Sequence, residues 1–158
     1  MKKCNYIYLI VILLITFGAF SYYQASQPIV DYEKCTLCDG NKYSSIFNYF
    51  EDNAEEYNVK YPFHSRILVP YLATLLSGSL TDNFQILNLL FSLISVVIIF
   101  LIWKKLNIPI TLISIGMFWL IFHWTGMIRL NAFDPITVDV PLYLFHGLLL
   151  LILSLIHI

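Results

Sequence analysis

Residues 84–103 read FQILNLLFSLISVVIIFLIW, and Lys104-Lys105 follow at once. The run holds no charged side chain. As an α-helix its 20 residues extend ~30 Å, the thickness of a bilayer's hydrocarbon core. A lysine pair directly after such a run marks a membrane boundary, and the cytoplasmic one by preference. Outward from this stretch, the same pattern recurs. Residues 6–23 form an apolar run behind Lys2 and Lys3, residues 108–128 form another that contains Trp119 and Trp124, and a further run begins at Val140. Composition agrees: 59% of the 158 residues are hydrophobic and 12% charged. Soluble domains average about 45–50% apolar and about 25% charged. The expected fold class is therefore all-α, a polytopic transmembrane helical bundle. Its partner is the lipid bilayer. A net charge of -1 supplies no basic surface for nucleic acid.

Spans are expected at about 6–23, 84–103, 108–128 and 140–152 onward. The first run has a rival reading as a cleaved signal peptide, because a basic start and apolar core are common to both. Its long core and the absence of a clean small-x-small site in SYYQASQP favour an uncleaved helix. Lys2 and Lys3 place the N-terminus in the cytoplasm of a cell whose inner membrane holds the chain. Residues 67–80 are apolar, but at ~21 Å they are shorter than a span and fit a segment lying at the surface. Placing them there leaves both lysine pairs cytoplasmic, so residues 24–83 and 129–139 become external. Within the first of these loops, Asp39-Gly40-Asn41 reads as a turn. Residues 44–57 then read as a short amphipathic helix with Ile46, Phe47, Phe50, Ala54 and Tyr57 on one face.

The C-terminal residues 153–158, LSLIHI, match what a common transposase sequencing adapter encodes. We read them as an adapter-derived tail, with a native Leu/Ile-rich helix end as the alternative. On the first reading residues 1–152 are the N-terminal part of one transmembrane domain, and His157 carries no meaning.

The external loops hold the residues suited to chemistry. Cys35 and Cys38 form a CxxC, which an oxidising compartment favours as a disulfide. A metal site would need two further ligands, and a reduced pair is the remaining option. Asp31, Asp39 and Asp134, with Asp139, stand near helix ends on the external side, and Arg66 and Arg129 stand beside them. Carboxylates can act as a general base or hold a divalent metal cation. Arginine grips phosphate in bidentate fashion. The plainer reading is solvated acids and interfacial arginine anchors. His64 reads as interfacial, while His123 and His146 lie in apolar helices, where ionisable groups are functional candidates or simply bonded neighbours. Cys4, at the cytoplasmic edge, is a palmitoylation candidate or an inert thiol.

The string 61–73, YPFHSRILVPYLA, resembles a pattern in uncharacterised bacterial multi-spanning proteins. The overall layout resembles the GT-C superfamily of glycosyltransferases, which use polyprenyl-phosphate-linked sugars. That resemblance implies an enzyme at the external membrane face. Asp31 or Asp39 would match the acid of the first external loop and Asp134 that of the second, with Arg66 and Arg129 for the substrate phosphate. Neither loop carries an Asp-x-Asp or Asp-Asp pair, so the resemblance leaves the catalytic residue open. The alternative is a transporter or a non-catalytic membrane subunit. Residues 84–103 and 108–128 carry no charges, which weighs against an ion-coupled path.

Overall fold

A computed structural model describes residues 2–52, 59–63 and 66–156, with side chains described from Tyr6 to Leu153. The described residues are helical, with turns and loops between seven helices and no strand among them. The helices are α1 (Lys2–Ser26), α2 (Asp39–Phe50), α3 (Leu68–Thr74), α4 (Leu80–Lys105), α5 (Ile110–Phe122), α6 (Arg129–Phe133) and α7 (Asp139–Ile156). Two are long and apolar enough to cross a membrane: Tyr6–Ser26 within α1, and α4.

α4 is the central element. It starts before the apolar run, because Ser79 caps it. The Ser79 hydroxyl accepts from the Asp82 amide at 3.2 Å and donates to the Asp82 carboxylate at 2.6 Å. These bonds meet an amide donor that the first turn would otherwise leave open. α4 ends in a Schellman motif. Asn107 takes a left-handed φ of 56°, its amide bonds the Lys104 carbonyl, and the Ile108 amide reaches back to the Trp103 carbonyl. Lys104 and Lys105 fill the last turn, where cations suit the helix dipole.

α1 lies antiparallel to α4. Gln24 near the end of α1 donates to Gln85 near the start of α4, at 2.6 Å. Halfway along, Leu13, Leu14 and Phe17 face Leu93, Ile94 and Val97. Residues 27–79 therefore join the same ends of two antiparallel helices. Within them α3 is only seven residues long, about 10 Å. The bend after it is locked by Asn83, which is fully buried. Its amide donates to the carbonyls of Ala73 and Leu76, and its carbonyl accepts from the Gly78 amide.

The segment expected to cross as one helix over 108–128 is broken. α5 has 13 residues, about 20 Å, and stops at Phe122. His123 turns to extended backbone with ψ 145°. Its Nδ1 accepts from the Thr125 amide at 3.3 Å, and the Gly126 amide returns to the His123 carbonyl at 2.9 Å. Any side chain on Gly126 would collide with the Leu120 carbonyl, so a residue with no Cβ closes this turn. The polar break at 129–139 is likewise not an open loop. It holds α6, and Pro135 to Val138 are buried.

In the first loop, α2 starts at Asp39, so Asp39-Gly40-Asn41 is the first turn of a helix and not a free turn. α2 ends as Asp52 takes a left-handed φ of 57°. The expected continuation over Ala54 and Tyr57, and the interfacial reading of His64, lie outside the described residues. One core joins Tyr43, Ile46 and Phe47 of α2 to Val69 and Ala73 of α3, Phe84 and Leu87 of α4, and Val140 and Leu144 of α7. A second joins Ile12 and Phe20 of α1 to Val96 and Phe100 of α4 and Met117 and Ile121 of α5.

Candidate functional site

The chain from Tyr32 to Asn41 sets the geometry. Cys35 and Cys38 form a disulfide, with their Cα atoms 5.4 Å apart, immediately before α2. Asn41 then donates to the carbonyls of Tyr32 (3.0 Å) and Cys35 (2.8 Å), folding the loop back on the helix. The Tyr32 ring lies over Gly40 so closely that any Cβ there would clash with it. Thus positioned, the Tyr32 hydroxyl donates to Asp134 Oδ1 at 2.5 Å and accepts from the Ile136 amide at 3.0 Å. A tyrosine of the first loop thereby fixes a carboxylate of the second.

Asp134 is half-buried. Burial raises its pKa from the ordinary carboxylate value, the Tyr32 hydrogen bond works the other way, and Asp139 and Asp39 add to the rise. The Tyr32 hydroxyl is pushed up strongly, first by burial and then by Asp134. The pair is a neutral phenol donating to a carboxyl that binds a proton more readily than an exposed acid.

Arg66 lies on the same side of the molecule. Its Nη1 donates to the Tyr43 hydroxyl at 3.1 Å. That bond, with the charges of Asp139 and Asp39, raises the arginine's pKa and holds it cationic. Tyr43 itself is raised by burial, against the pull of Arg66. Phe63 is flanked by two cations, Lys42 Nζ at 4.0 Å and Arg66 at 5.6 Å from the ring centre. Arg66 also lines an apolar cleft of about 160 Å³, with Leu68, Val69, Val138, Leu142 and Phe145.

The sequence candidates thus divide. Asp39 acts electrostatically on both Asp134 and Arg66, and so does Asp139, which the sequence places with the other external acids. Asp31 is elsewhere engaged: it pairs with Lys34 at 2.8 Å on an exposed surface and accepts from the amides of Glu33 and Lys34. Lys34 lowers its pKa most, so it stays a plain carboxylate. Asp39 also has a lysine partner, Lys42, at 3.2 Å. Arg129 lies in a different cavity from Arg66, stacked 4.8 Å over Trp124 and 5.6 Å from Tyr23. Among the described residues no three His, Cys, Asp or Glu side chains converge to hold a metal ion.

Sequence reasoning missed Tyr32 and Tyr43. The signal for Tyr32 was weak but present, in a tyrosine directly beside Asp31 and the CxxC. No family model matches this chain, and no curated protein or solved structure does either.

Proposed function

We propose that this is a polytopic membrane protein that transfers a sugar or related group from a polyprenyl-phosphate carrier at the external face, as a GT-C-like glycosyltransferase. The observation that carries this reading is Arg66. A permanently charged guanidinium stands at an apolar cleft, and Asp39 and Asp139 are close enough to act on both it and Asp134. A lipid phosphate pairs one anionic group with an apolar chain, which is the combination that such a cleft accepts. Transfer also needs a base for the acceptor hydroxyl. Asp134, with its raised pKa and its fixed orientation on Tyr32, is the best placed carboxylate for that work. α1 and α4 run antiparallel, which supports a topology with 24–83 on one side and Lys104-Lys105 opposite.

The test is transfer from a radiolabelled polyprenyl-phosphate sugar by membranes containing the protein. Removing a general base typically costs ~10²–10⁴ in rate. Asp134→Asn should therefore abolish most transfer without reducing membrane insertion, and Arg66→Gln should weaken use of the donor. Wild-type membranes that consume no lipid-linked donor across a broad panel would overturn the reading.

One observation favours a transporter instead. The helix break at His123–Gly126 falls inside an apolar run, and discontinuous helices are a mark of transporter binding sites. Counterflow of a labelled substrate in proteoliposomes without any product formed would select it.

A further inference from the structure

Where α1 leaves its last turn, residues 27–30 run against the end of α6, tied by the Val30 amide on the Phe133 carbonyl at 2.8 Å. Between this segment and the α5–α6 turn lies a cavity of about 420 Å³. Its lining includes Tyr22, Tyr23, Ser26, Gln27, Trp124 and Arg129, and no carboxylate. The Arg129 guanidinium lies over the rings of Trp124 (4.8 Å) and Tyr23 (5.6 Å), which hold the cation at the cavity wall. Arg129 Nε and Gln27 Nε2 are both inaccessible to bulk water, and neither has a hydrogen-bond partner among the described residues. Both atoms are donors. Buried donors without partners are uncommon and ask for an explanation. Here a cation and an amide line one space, each with a buried unpartnered donor behind its surface, and the space is walled by aromatic rings of the kind that gather at the headgroup level of a bilayer.

We propose that this cavity binds the phosphate of an anionic bilayer phospholipid, at a site separate from Arg66. The outer N–H groups of the Arg129 guanidinium suit the acceptor oxygens of a phosphodiester, and the same group supplies the compensating charge. Tyr22 and Trp124 are largely exposed, so the acyl chains can leave along the outer apolar surface of α1. The proposal needs only that α1 is embedded, and it holds whether the protein is a transferase, a transporter or a subunit. A free phosphate ion offers the same oxygens, so the source has to be separated by experiment.

The full chain would be released from nanodiscs of equal phosphatidylglycerol and phosphatidylcholine and weighed by native mass spectrometry. One phosphatidylglycerol should be retained in preference to phosphatidylcholine. Arg129→Gln and Gln27→Glu should each lower that retention at least tenfold, the second because it sets an anion against the phosphate. Lys34→Gln, at an exposed cation that lines neither cavity, should leave it unchanged. If Arg129→Gln fails to insert, Gln27→Glu alone decides, because it alters a side chain at a helix end by one atom. In nanodiscs of phosphatidylcholine only, retention of inorganic phosphate that Arg129→Gln abolishes, with no phosphatidylglycerol preference in the mixed discs, would overturn the lipid assignment. Equal retention of the two lipids, or retention indifferent to both substitutions, would overturn the site altogether.

Discussion

The segments 31–39 and 134–139 each carry two aspartates near a helix start, and by sequence they look alike. Their surroundings differ. In the first, each acid has a lysine three residues on, Asp31 with Lys34 and Asp39 with Lys42, and all four groups meet solvent. In the second, Asp134 is half-buried on a tyrosine from the other loop, and Asp139 has no ion-pair partner within 4.0 Å among the described residues. A carboxylate with a local lysine in water is stable as an anion and little disposed to take a proton. One that is desolvated and set beside other acids is held nearer to protonation. The contrast separates an acid that shapes a turn from one that burial holds nearer to protonation.

The harshest way to break this contrast is at Gly40. Gly40→Val would drive Tyr32 off its seat and with it the bond to Asp134. Overpacking of this kind costs ~1–3 kcal/mol. Unfolding in detergent micelles should show that loss, and the Asp134 carboxyl should lose its distinct infrared band. Gly40→Val with unchanged stability would mean that Tyr32 has room to move.

Tyr32→Phe removes the hydroxyl alone. It leaves a half-buried carboxylate and the Ile136 amide without their shared partner, which costs ~1–3 kcal/mol. Because that hydroxyl's bond lowers the pKa of Asp134, its loss should raise the carboxyl's pKa further. A titration of the carboxyl band that moves down, or not at all, would contradict the assignment.

The pH dependence sharpens the comparison in both directions. Asp134 has a folded pKa above its unfolded value, so the folded state binds its proton more tightly. Its stabilising contribution is complete below the ordinary pKa of 3.8 and is lost as pH rises through the higher folded value. Asp31 has the reverse sign: its folded pKa is lowered, so its contribution is present above 3.8 and lost as pH falls. Asp134→Asn should therefore remove a decline in stability on the alkaline side of pH 3.8. Asp31→Asn should remove only a slight acid-side loss, since both partners are exposed and screened. On transfer activity Asp31→Asn should have the smallest effect of all. An Asp31→Asn enzyme as damaged as Asp134→Asn would erase the distinction.

Much of the fold follows from the periodicity and length of apolar runs. The run 84–103 is so long and uncharged that α4 was readable to within a few residues, and its lysine pair gave the correct end. The helix starts before the apolar run, because Ser79 and Asp82 bond each other there and hydropathy does not register a cap. The break of 108–128 was hidden for a different reason. Hydropathy averages over Gly126, and only the backbone contact with Leu120 reveals that the helix turns there. The site was harder still. Asp134 was named for its position after a span, but its partner Tyr32 lies 102 residues away, and no local pattern links them. Gln85 and Asn88 escaped notice because two polar residues hardly alter so apolar a run, yet both are buried. Residues 67–80 were read as a surface segment too short to cross, and that placement can be checked directly. With native cysteines removed, Ser77→Cys, which is exposed beyond α3, should react with an impermeant thiol reagent from the same side as a cysteine placed at Leu37.

Asn88 has a consequence for how this chain is made. Its side-chain amide is buried and donates to the Pro135 carbonyl, 47 residues downstream, at 2.8 Å. Pro135 follows α4 in the chain, so α4 leaves the ribosome before its acceptor does. On the proposed membrane topology, the nascent helix enters the bilayer with this side-chain amide unmet. Its own apolar length and the trailing lysine pair carry it in. The arrival of residue 135 then acts as a latch, closing on a helix that has been waiting. Ribosomes stalled before that point should carry an α4 that inserts but slips in depth, and those stalled beyond it an α4 held in register.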